Sequence, residues 1–162
     1  MPDASLPELA RSLRALGAAR DPATEAAHDA IFAPLIAARV RAARAEGHDI
    51  VHSFHGIALI EAIDRGVSTA ACVGTDNPAV ARARSASARD AIDPLRLALG
   101  SLDAGAPAAV AAGPASPEWD AWLAALRRAF AAADEACGRL ARVLAEPPPT
   151  DGDAGWFRRL RR

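Results

Sequence analysis

At 162 residues the chain is long enough to bury a core of its own, so neither a disulfide framework nor a structural metal is needed to hold it together. A formal net charge of −1 argues against a general nucleic-acid binder, and no stretch approaches the roughly 20 apolar residues that cross a bilayer. All 19 basic residues are arginine and there is no lysine, tyrosine or glutamine; with 4 Phe and 3 Trp, the core has to be made of small aliphatic side chains and close helix contacts.

The first residues carry acid at Asp3 and Glu8 and no long apolar run, unlike a secretory signal, so a cytoplasmic protein is expected. Ser5 is placed to cap a short helix through Leu16 that ends at Gly17. Asp21-Pro22 is an N-cap followed by proline at the first helical position. The helix it opens carries Ile31, Phe32, Leu35, Ile36 and Val40 on one face and runs to about Glu46, with Pro34 expected to kink or split it.

A histidine helix is expected from about His48 to Arg65, ended by Gly66. Residues 67–75 are open between a loop, a short strand and an unwound turn. Asn77-Pro78 opens a helix to about Ile92, and Asp93-Pro94 restarts it with a bend, to about Leu102. Residues 103–115, rich in Ala, Gly and Pro, read as a loop.

Ser116-Pro117 opens the longest helix, to about Ala145. Trp119, Leu123, Leu126, Phe130, Ala133, Cys137, Leu140 and Leu144 follow one another at alternating steps of four and three, the seam of a helix packed nearly parallel to its neighbours. That seam leaves open whether its partner is another helix of the chain or a second copy; a homodimer is expected. Cys137, on the seam, reads as a structural thiol, and Cys72 lies too far from it in sequence to form a C-x-x-C pair.

The fold class is therefore all-α, a bundle of about five to six helices with a kinked second helix and a long C-terminal one. Residues 1–146 form the bundle domain, 147–155 a Pro/Gly/Asp linker, and 156–162 a basic aromatic tail. That tail, Trp156-Phe157-Arg158-Arg159-Leu160-Arg161-Arg162, has the make-up of a docking peptide for a protein partner or an anionic surface. Packing of Trp156 back on the bundle is the alternative.

Chemistry concentrates in one run, His48-Asp49-Ile50-Val51-His52-Ser53-Phe54-His55-Gly56, which holds three of the 4 histidines. On a helix of about 100° per residue, Ile50, Val51, Phe54, Ile57 and Ala58 gather on a core face. His48, His52 and His55 form a stripe with Leu59 and Ala62 at its edge. Glu61 projects to the core side, and Gly56, costly in a helix interior, marks a close helix crossing. A surface stripe with no chemistry is one reading of these residues.

His48-Asp49-Ile50-Val51-His52-Ser53-Phe54 resembles the H-box of the dimerisation and histidine-phosphotransfer domain of sensor histidine kinases, with Ser53 in place of the usual proline and His52 in place of Asn or Thr. His52-Ser53-Phe54-His55-Gly56 resembles the motif of histidine-containing phosphotransfer proteins, with His55 in the lysine's place. The first resemblance implies His48, the first-choice phosphoacceptor, with Asp49 as its orienting acid; the second implies His52, the second choice, with His55 and Gly56 beside it. Either implies a relay that exchanges phosphoryl groups with a receiver-domain protein. A neutral imidazole nitrogen suits that chemistry near neutral pH. No nucleotide-binding motif follows, so phosphate would come from a partner and not from ATP.

A non-enzymatic adaptor acting through the tail is the alternative. Metal binding is a third reading: Glu25 and His28 form one Glu-x-x-His pair, and with His48, His52 and His55 they are the candidate ligands for zinc or iron. A ferritin-like di-iron site needs a second such pair, so no cofactor is favoured.

Overall fold

The structure is a computed structural model that describes residues 21–44 and 49–146. Among the described residues six helical segments follow one another: α1 (Pro22–Arg44), α2 (Asp49–Ser53), α3 (Gly56–Cys72), α4 (Pro78–Ala91), α5 (Asp93–Ala112) and α6 (Pro117–Ala145). No strand occurs among the described residues. The helix expected over residues 5–16, His48, and the linker and tail at 147–162 lie outside them.

Three helix starts follow from a capping side chain and the proline after it. Asp21 Oδ1 accepts from the Thr24 N–H at 3.0 Å and Oδ2 from the Thr24 hydroxyl at 2.7 Å. These bonds stabilise the carboxylate and lower the Asp21 pKa. Asn77 Oδ1 accepts from Ala79 N–H at 2.9 Å, and Ser116 Oγ from Trp119 N–H at 3.1 Å. The bonds from Thr24, Ala79 and Trp119 N–H each satisfy a donor that the first helical turn leaves without an intrahelical partner.

The helix α6 packs against α5 and α1, and α3 fills the space between α1 and α4. The long-helix seam is thus covered by helices of the same chain. Its innermost line is offset toward the small residues: Trp119, Trp122, Ala125, Ala129, Ala133, Ala136, Leu140 and Leu144 are buried, while Leu123, Leu126, Phe130 and Cys137 are half-buried along its flank. Alanine at the contact line brings helix axes together, and the larger side chains then close the sides. Phe54 is 1% exposed and sets its ring edge-on to Trp122 and Phe130, at centroid distances of 6.5 and 6.2 Å. The Trp122 indole N–H donates to the Leu102 carbonyl at 3.1 Å.

Several expectations are corrected. Pro34 does not split α1, which continues to Arg44; the expected kinked helix is present as α1 and α2, which are bent by 33° relative to each other. Gly66 does not end a helix. It sits inside α3, where a Cβ would lie 3.0 Å from Ala30 Cα, so the missing side chain lets α3 cross closely over α1. Residues 67–72 continue α3, and Val73 to Asn77 form the turn into α4.

Residues 103–112 are helical, not a loop, despite Pro107. Ala109 is fully buried and Ala106 packs on the core, so tertiary burial overrides weak local preference. The helix ends at Gly113, whose φ of 78° an L-residue rarely adopts.

Arg84 on α4 ties the end of α3 to the end of α6: its guanidinium donates to the Val73 carbonyl at 3.2 Å, to the Glu146 carbonyl at 3.3 Å and to the Leu144 carbonyl. Arg96 pairs with Asp64 across α5 and α3.

Candidate functional site

The histidine run is not one helix. It breaks at Phe54–His55, leaving α2 as a short helix and starting α3 afresh at Gly56. His55 is the N-cap, in extended conformation, and its side chain does not cap the helix. The capping group comes from α5: the Asp103 carboxylate accepts from Gly56 N–H at 2.6 Å and from Ile57 N–H at 2.8 Å. Gly56 is required there for a second reason. A Cβ on it would lie 2.2 Å from the Leu99 carbonyl oxygen. The close crossing expected at this glycine is present, at a helix start and not mid-helix.

The break resets the helical phase. Leu59, Ile63, Val67 and Ala71 are buried, and Ile57, Ala58 and Glu61, expected on the core side, are exposed. Glu61 therefore needs no buried partner. Val51 and Phe54 are buried as expected.

His52, at the end of α2, and His55 are exposed, with Ser53 half-buried between them. The two histidines stand on a ridge between two open clefts. One cleft, of about 500 Å³, lies between α1 and α3 and is lined by Asp29, Ala37, Arg41, Ser53, Ala58 and Ala62 among others. The second, of about 490 Å³, lies against α5, where Ile57, Asp103, Ala106, Pro107 and Val110 contribute. Arg41 and Val110 were not singled out in the sequence. Arg41 is one of many arginines there, and only the fold sets it beside the histidines.

The remaining candidates are dispersed. His48 and the tail residues Trp156, Phe157, Arg158 and Arg159 lie outside the described residues, as does the Asp49 side chain. His28 is half-buried on α1, its ring stacked on Phe32 at 4.8 Å, and Glu25 is exposed. Among the described residues no three His, Cys, Asp or Glu side chains are grouped to hold a metal ion. Cys72 is exposed and Cys137 half-buried. No helix among the described residues is long and apolar enough to cross a membrane.

Comparison with protein-family models, with curated proteins and with solved structures finds no match for this chain.

Proposed function

We propose that this protein is a phosphohistidine relay whose acceptor is His52, with His48 as the alternative. The observation that carries this reading is the setting of His52. It is exposed on a ridge, and the cleft beside it exposes Ile57 at 58% and Val110 at 37%. A receiver domain seated there would bury these two apolar side chains and bring its phosphoaspartate to the imidazole. The ring nitrogen attacks phosphorus, the N–P bond forms as the bond to the aspartate oxygen breaks, and the ring proton passes to solvent. In this reading His55, on the other side of the helix break, donates a hydrogen bond to a phosphoryl oxygen.

The test is transfer from a radiolabelled phosphoreceiver to the full chain, with the label checked for acid lability. Acid-labile label that disappears in His52→Ala and persists in His55→Ala is the expected result. No label on the wild-type chain overturns the relay. Label lost only in His48→Ala moves the acceptor to that residue.

The same exposed apolar surface favours a second reading, a helical adaptor. Partner binding then survives His52→Ala, and it is lost on deletion of residues 147–162 if the tail recruits the partner.

A further inference from the structure

The α1–α3 cleft has a polarity along its length. The helices run antiparallel, with Gly66 of α3 crossing at Ala30 of α1. Arg41 therefore lies at the same end of the cleft as His52 and His55. Asp29, the acid on the lining, is twelve residues before Arg41, about 18 Å along α1, at the opposite end. Between them the walls are apolar, with Ala33, Pro34 and Ala37 on α1 and Ala58, Leu59 and Ala62 on α3. Arg41 is exposed, and no carboxylate among the described residues pairs with it.

A cleft of about 500 Å³ is within the size range of small-molecule sites. One guanidinium and two imidazoles at one end match a single planar anion, which arginine holds through two parallel hydrogen bonds. The alanine walls offer apolar contact with no polar group to satisfy, and Asp29 repels a second negative charge at the far end. We propose that this cleft binds a medium-chain carboxylate, with its head at Arg41, His52 and His55 and its alkyl chain along Ala33, Ala37, Ala58 and Ala62. The head group shares His52 and His55 with the proposed relay, whereas Arg41 and the alanines belong to the cleft alone, so carboxylate binding to the unphosphorylated chain stands or fails separately from phosphotransfer.

Calorimetric titration of the unphosphorylated full chain with octanoate, below its micellar concentration, tests the site. Saturable one-site binding is expected, weaker by about tenfold or more for octanol, which lacks the charge, and for acetate, which lacks the chain. Arg41→Gln should weaken octanoate binding by about tenfold, and Ala37→Leu should block the channel. Both positions are exposed, so circular dichroism should be unchanged. Absence of saturable octanoate binding overturns the proposal, as does binding that neither substitution alters. Weakening by Ala37→Leu with none by Arg41→Gln also overturns it, because the head-group assignment then fails.

Discussion

Asp103 is a half-buried carboxylate that starts a helix in another part of the chain. Its two oxygens take the N–H groups of Gly56 and Ile57, 47 and 46 positions away in sequence. Those donors have no intrahelical partner, and a carboxylate at a helix N-terminus also interacts favourably with the helix dipole. Asp103→Ala should lower stability by about 2 kcal/mol, read from the midpoint of urea unfolding at unchanged m-value. Asp103→Asn should fall between, because an amide keeps one acceptor oxygen and turns a second N–H toward a donor. Equal stability of all three proteins would show that water caps α3 as well as Asp103 does. The capped residues directly follow His55, so loss of the cap should also disturb the proposed relay site.

At the scale of helices, the packing depends on where side chains are missing. A Cβ at Gly56 would meet the Leu99 carbonyl at 2.2 Å, and one at Gly66 would meet Ala30 Cα at 3.0 Å. Both neighbours are backbone and cannot swing away. Gly100 and Gly138 are also helical, but a Cβ on either meets nothing within 4 Å. The four Gly→Ala variants should therefore differ in sign. Gly100→Ala and Gly138→Ala should each gain roughly 0.5–1 kcal/mol from helix propensity and reduced unfolded-state entropy. Gly56→Ala should lose about 2 kcal/mol or more as α3 and α5 are forced apart. Gly66→Ala should lose less, because propensity offsets part of the strain. Thermal or urea unfolding of the four proteins side by side checks the order; a stabilised Gly56→Ala would contradict the crossing described here.

Across the whole molecule, Arg84 joins the last turn of α6 to the chain just after α3. The core, by contrast, centres on Phe54, Trp122 and the leucines of α5. Opening at the Arg84 end should thus be possible without unfolding the centre. In Arg84→Gln, amide exchange near Val73 and in the last turn of α6 should speed by about tenfold, while Leu99 and Leu102 keep wild-type protection. Uniform acceleration through all helices would instead mean that the clamp supports global stability.

The all-α class, the long final helix and three helix starts were legible in the sequence because their causes are local. Asp21-Pro22, Asn77-Pro78 and Ser116-Pro117 each place the capping acceptor and the N–H it receives within three residues. The spacing of apolar residues along 117–145 likewise follows from helical geometry alone. The histidine run was legible as a cluster, and the exposure of His52 and His55 agrees with its reading as a stripe outside the core. Its division into two helices was not legible, since the cap that starts α3 comes from Asp103 and the space that permits it from Leu99. Nor was the helicity of 103–112, which depends on burial of Ala109 and its neighbours and not on their propensity. The sequence alone determined which segments are helical wherever donor, acceptor and periodicity lie within a few residues. Only the tertiary structure decided where the histidine helix breaks and which residues face the clefts, because those outcomes depend on groups that folding brings together from distant parts of the chain.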